Sequence, residues 1–253
     1  ANHAITFDDT DTDMQPDLVW IKNRDAADSH CLFDAVRGAT KVMHSDTDGA
    51  ESTDTDTLDS FTSDGFQVDA DVKVNTNAEK YVAWCWKANG TGSSNTAGSI
   101  NTTATSANTT AGFSISTYTG SGTAGETVGH GLGKKPDLIS TKRRTGSSNW
   151  VTYHNNVGGM DATDYMNWND DGASADYAFM WNDTEPTSTV FTLGSDSGGN
   201  GSSHIYVCYC WTSIQGFSKF GSYTGNGNAD GTFIYTGFRP AYILIKNTEA
   251  AKN

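Results

Sequence analysis

The chain has 253 residues, with hydrophobic residues at 36%, aromatic residues at 11% and 27 Gly, and its 30 acidic against 16 basic residues give a formal charge of −14. Such an acidic surface is repelled by nucleic acid phosphates and anionic membranes, so neither is an expected partner. No apolar run approaches the ~18 residues of a membrane-spanning helix. Abundant Thr, Ser and Gly with little Leu or Ala point to short strands joined by polar turns.

In chain order, the first element is carried by Gln15-Pro16-Asp17-Leu18-Val19-Trp20-Ile21-Lys22. It recurs as Lys135-Pro136-Asp137-Leu138-Ile139-Ser140-Thr141-Lys142 and as Arg239-Pro240-Ala241-Tyr242-Ile243-Leu244-Ile245-Lys246. Pro lacks an N–H and is tolerated at the start of a strand but not within a ladder. Each copy is therefore predicted to begin a strand, with the closing Lys at a solvated end. Residues 16–34 align without a gap on 136–154 and read as strand, polar turn, strand. Residues 45–60 are rich in Asp, Thr and Ser and read as loop. Phe66-Gln67-Val68 then aligns on Phe191-Thr192-Leu193, and Tyr81-Val82-Ala83-Trp84-Cys85-Trp86 on Tyr206-Val207-Cys208-Tyr209-Cys210-Trp211. The block Gly112 to Gly122 recurs at 216–227.

Self-similarity at a period above 100 residues means repeated domains rather than a solenoid of small units. The expected architecture is all-β, with tandem jelly-roll-like β-sandwiches. The first occupies 1–91, the second 112–214, and 92–111 is a linker or crossing strand. Residues 215–253 begin a third repeat that lacks its closing strands, so they are expected to depend on contacts outside their own domain, from the rest of a longer chain, from the preceding domain or from another subunit.

Chemistry is sparse. Gly120-Ser121-Gly122-Thr123-Ala124-Gly125 satisfies GxGxxG but no helical pattern follows it, which favours a β turn over a dinucleotide site. Three loops alternate oxygen-bearing residues before a Gly: Asp46 to Gly49, Asn167 to Gly172 and Asn226 to Gly231. The best ligand set is Asn167, Trp168, Asn169 and Asp171. A solvated Asx/Gly turn is the commoner outcome of this pattern, and weak calcium binding is the alternative. No catalytic residue, cofactor or metal-cluster spacing stands out. Cys208 and Cys210, two apart on one strand face, read as buried thiols rather than as a disulfide. Alternation places most of the Trp residues in the core, although Trp84, Trp86, Trp150, Trp168, Trp181 and Trp211 have the rings to stack on sugars.

The blocks 16–24, 81–88, 216–227 and 235–246 together resemble a repeated β domain of unknown function found in virion structural proteins of marine tailed bacteriophages. The resemblance spans nearly the whole chain. It implies a structural, non-enzymatic component of a phage particle, such as a tail or head fibre, an appendage or a decoration protein. The implied location is the virion, and the implied partners are other virion proteins and copies of itself. A module binding a host-surface glycan or protein is the alternative, and a polysaccharide depolymerase ranks below it.

Overall fold

The computed structural model describes residues 2–7, 13–155 and 160–249. The acidic stretch around Asp8 to Thr12 lies outside the described residues.

The first repeat comprises β1 (His3–Thr6), β2 (Leu18–Asn23), β3 (Cys31–Asp34), β4 (Lys41–His44), β5 (Ser52–Thr53), β6 (Leu58–Thr62), β7 (Gly65–Val68), a single helical turn α1 (Val72–Asn75) and β8 (Tyr81–Trp86). The second comprises β9 (Ala104–Asn108), β10 (Phe113–Thr119), β11 (Glu126–Gly129), β12 (Leu138–Arg143), β13 (Val151–His154), β14 (Asp164–Asn167), β15 (Ala175–Asp176), a helical turn α2 (Ala178–Trp181), β16 (Val190–Leu193) and β17 (Ile205–Trp211). The fold is all-β, with two β-sandwiches in tandem followed by the start of a third repeat.

In the first sandwich a five-stranded sheet, β5-β4-β3-β2-β8, faces a three-stranded sheet, β1-β7-β6. In the second, a seven-stranded sheet, β15-β14-β13-β12-β17-β10-β9, faces the pair β11-β16. The registers repeat. Leu18 pairs with Trp86 and Asp34, as Leu138 pairs with Trp211 and His154. The 92–111 segment supplies β9, the outer edge of the larger sheet. The stretch read as loop at 45–60 contains β5 and the start of β6, a ladder too short to show as an apolar pattern.

Three apolar cores separate four layers. Val19, Ile21, Phe33, Phe66 and Val68 fill the first sandwich. Ile139, Tyr153, Phe191, Leu193 and Tyr206 fill the second. The third core lies between the two large sheets, where Leu18, Trp20, Leu32 and Met43 meet Leu138, Trp150, Val207, Tyr209 and Trp211. The two repeats therefore stand back to back, and both faces of the central strands of each large sheet are buried. That is why β17 reads as a continuous apolar run rather than as an alternation.

The Pro motif works through its Asp. The Asp17 carboxylate is buried and accepts the Ala88 N–H at 2.8 Å, while its own N–H donates to the Trp86 carbonyl. Asp137 repeats the arrangement with Ser213 N–H at 2.6 Å and the Trp211 carbonyl. Each carboxylate thus fastens the exit of the last strand of its repeat to the start of the Pro-motif strand. In the third copy this position is Ala241. The expected strand at 242–246 is not formed, because the motif has neither the carboxylate clamp nor neighbouring strands to pair with. Among the described residues after Trp211 the only β pairing is an isolated bridge between Ile214 and Ser218.

The closing Lys also departs from expectation. Lys142 is fully buried rather than solvated. Burial lowers its pKa to about 8, and its ammonium is held by the carbonyls of Asp48 and Arg143.

Candidate functional site

With no reactive cluster evident among the described residues, the most built feature is the interface between repeats. Asp34, at the end of β3, is buried and accepts from the backbone N–H groups of Val36 and Arg37. Its other oxygen receives Arg37 Nε, at 2.5 Å, and the Tyr209 hydroxyl of the second repeat, at 2.7 Å. Arg37 reaches Glu51 at 3.1 Å, and Arg144 of the second repeat grips the same carboxylate with two bonds of 2.8 Å. Burial works against the charge on Arg37, but Asp34, Tyr209 and Glu51 outweigh it and hold the guanidinium charged. Burial likewise acts to raise Glu51, and its bonds and charges from Arg144 and Arg37 hold it below the usual carboxylate range. The indole N–H of Trp150 donates across the interface to the His44 carbonyl at 2.8 Å.

One part of this docking occurs twice. Between repeats one and two, Lys142 donates to the Asp48 carbonyl, and the Glu51 N–H bonds the Arg144 carbonyl at 3.0 Å. Between repeats two and three, Lys246 donates to the carbonyls of Asp170 and Gly172 at 2.7 and 2.9 Å, and the Ser174 N–H bonds the Thr248 carbonyl at 3.0 Å. Lys246 closes the third motif as Lys142 closes the second, and Thr248 corresponds to Arg144. The third motif is thus seated on the second repeat as the second is seated on the first, even though it forms no strand. Tyr242 packs its ring against Trp20, Trp84 and Trp86 of the first repeat at 5.4–6.2 Å.

Two of the three loops singled out for calcium serve this docking, while the third, Asn226 to Gly231, is closed by its own bonds, from the Asn226 amide to the Asp230 carbonyl and from the Asn228 N–H to Asn226 Oδ1. Asn169 Oδ1 accepts the Trp150 N–H at 2.7 Å, as Asp46 Oδ1 accepts the His30 N–H at 3.1 Å, so both residues cap the start of the adjacent strand. The Asn167 amide donates to Asp170, and Asp170 accepts the Gly172 N–H in an Asx turn. Trp168 is stacked between Trp20 and Trp150 at 5.8 and 5.7 Å. Asp171 is exposed. The carbonyls of this loop hold the Lys246 ammonium, and among the described residues no three His, Cys, Asp or Glu converge as a metal would need. In the GxGxxG stretch, the N–H groups of Gly120, Gly122 and Gly125 donate to carbonyls of His204, Asn200 and Leu193, so the turn is a packing element. Cys208 and Cys210 are free and buried, with sulfurs 3.6 Å apart.

A groove that sequence reasoning missed lies at one end of the second sandwich. It encloses about 340 Å³ and is lined by Arg143, Asn149, Tyr165, Asn167, Tyr177 and Asp196 among others. Its walls come from several segments spread over more than 50 residues of sequence, so no local pattern signals it. Tyr165 and Tyr177 lie 5.8 Å apart, and Phe179 beside them is 57% exposed. Arg143 Nε and Asn167 Oδ1 are buried without a hydrogen-bond partner. In the first repeat Asn23 replaces Arg143, and its amide is taken up by Asp28, Glu79 and Tyr81. None of the Trp residues offered for sugar stacking is exposed. Trp150, Trp181 and Trp211 are buried, and Trp84, Trp86 and Trp168 belong to the inter-sheet cluster. Among the described residues no helix is long and apolar enough to cross a membrane.

No curated protein and no solved structure matches the chain. One family model does, a domain of unknown function designated DUF7483, and it spans residues 4–253, which takes in both sandwiches and the seated third motif. The chain belongs to that family.

Proposed function

We propose that the chain is a structural component of a tailed-phage particle, a tail or head fibre, an appendage or a decoration protein, whose work is assembly rather than catalysis. The observation that carries this reading is the repeated docking just described, in which the Lys and the backbone following each Pro motif engage the Asx loop of the preceding repeat. A polypeptide that stacks successive repeats by one recurring set of bonds is suited to building extended or layered structures. The resemblance to repeats of phage virion proteins points the same way. Peptide mass spectrometry of purified particles, with antibody labelling seen by electron microscopy, tests it. The protein is expected at a fixed position and copy number on the particle. Its recovery only from the particle-free lysate overturns the proposal.

A second reading, binding of a host-surface glycan, is favoured by the groove beside Tyr165, Tyr177 and Phe179. Sugars are gripped by aromatic faces together with a few fixed polar groups, and this groove offers both. Tyr177→Ala is expected to abolish binding to any surface polysaccharide the intact protein retains, with the unfolding transition unchanged. Equal retention of the intact protein and the variant would count against it.

A further inference from the structure

β8 and β17 are the same strand in successive repeats, but they differ at one edge. β17 is paired on both sides, by β12 and by β10. Among the described residues β8 is paired only by β2 and ends its sheet. The difference shows in burial. From Tyr206 onward β17 is buried, whereas β8 is half-buried with Ala83 exposed. An edge of the sequence Tyr-Val-Ala-Trp-Cys-Trp carries no Pro and no charge to discourage pairing, which makes it a template for another strand.

The strand that fills this position in the second repeat is β10, from the block Gly112-Phe113-Ser114-Ile115. That block recurs as Gly216-Phe217-Ser218-Lys219. In its second occurrence it forms no ladder, and Phe217 and Tyr223 are 60% and 46% exposed. Its own chain holds its start on the second repeat, with the Ser218 N–H on the Ile214 carbonyl and the Phe220 ring 6.0 Å from His154. One molecule therefore carries both an unfilled strand position and an unplaced strand of the type that fills it.

We infer that residues 216–225 of one copy add to β8 of a second copy as an antiparallel strand. The register is that of β10 on β17, where Phe113 faces Trp211 and Ser114 faces Cys210. Transferred, it sets Phe217 opposite Trp86, Ser218 opposite Cys85 and Lys219 opposite Trp84. The new ladder satisfies the free backbone groups of β8, and Phe217 gains cover. The contact joins different surfaces of the two copies, so it propagates from copy to copy and closes only if the rotation between copies allows a ring. Copies of charge −14 repel one another, so salt strengthens the association. This names a partner for the assembly proposed above and rests on that reading for its biological setting.

The test uses the full chain carrying Ser218→Cys, oxidised in solution. Directly opposed positions in an antiparallel ladder lie within disulfide reach. The expected product is a reducible ladder of dimers and longer species. In a mixture of isotopically light and heavy copies, peptide mass spectrometry is expected to join the Cys85 peptide of one to the position-218 peptide of the other. Linkage within a single chain, or no linkage while both thiols remain titratable, overturns the inference. As a second readout, the unaltered chain is expected to sediment as associated species at high salt, and a free peptide of residues 216–225 to dissociate them. A monomer insensitive to salt and peptide also overturns it. Either failure concerns the isolated chain and leaves the particle-localisation test standing.

Discussion

Replacing Arg37 with Met is expected to cost about 3–5 kcal/mol of folding stability, the range for breaking a buried ion pair by removing one partner. The cost comes less from the lost attraction than from what is left behind. Asp34 is buried, and its remaining donors are two backbone N–H groups and the Tyr209 hydroxyl. The Leu32 and Lys41 carbonyls also lose their donor. Urea unfolding at neutral pH measures the loss. Two checks separate this cause from simple packing damage. First, Asp34→Asn in the Arg37→Met background removes the orphaned charge, so the double variant is expected to be more stable than Arg37→Met alone. Second, the network makes stability depend on pH. The folded-state pKa of Glu51 is depressed, so its contribution is fully present above the unfolded value, about 4.3, and is lost as pH falls through the folded value. Because Arg37→Met removes one of the two cations that stabilise Glu51, this acid-dependent component is expected to be smaller in the variant than in the intact chain.

Trp150→Ala is expected to lose about 3–5 kcal/mol, as for other large-to-small changes in a core. Trp150 is fully buried between the large sheets and stacks on Trp168 and Tyr209 at 5.7 and 6.0 Å. Trp150→Phe keeps most of the packing and forfeits the indole bond to the His44 carbonyl, with an expected loss of about 1–2 kcal/mol. Because this core is common to both sandwiches, the Ala variant is also expected to split a single calorimetric transition into two, as each sandwich then unfolds on its own. A single shifted transition would show instead that the remaining contacts still couple the repeats.

Much of the architecture was legible because the chain states it more than once. The alignment of 16–34 on 136–154 marked β2, β3, β12 and β13, and the Tyr-Val blocks marked β8 and β17. What stayed hidden was the relation between the repeats. Asp34, Arg37 and Tyr209 meet across more than 170 residues, and nothing near Tyr209 in sequence announces a carboxylate. The buried outer faces had a signal in the non-alternating run Tyr206 to Trp211. That run also suits a strand buried for other reasons, so it did not identify the second repeat as the cover. Asn167, Asn169 and Asp171 recommended themselves through their oxygens. Oxygens in this loop also serve structure, as when Asn169 Oδ1 caps Trp150 and the Asp170 carboxylate makes an Asx turn, and nothing in the local pattern tells such a role from ligation. The third motif looked like its predecessors over its apolar residues, but it has Ala241 where they have the clamping Asp, and no described strand lies beside it.

The seating of Lys246 and Thr248 defines a geometrical operator. If one set of bonds carries repeat one onto repeat two and the same set begins to carry repeat two onto three, the step between neighbours is a fixed rotation and translation. Iterating a fixed step generates either a closed rosette or a helix of constant pitch. The shape of a longer array would then follow from the seating of each repeat on the one before, and a change in the length of the Asx loop would alter the pitch while leaving each sandwich intact.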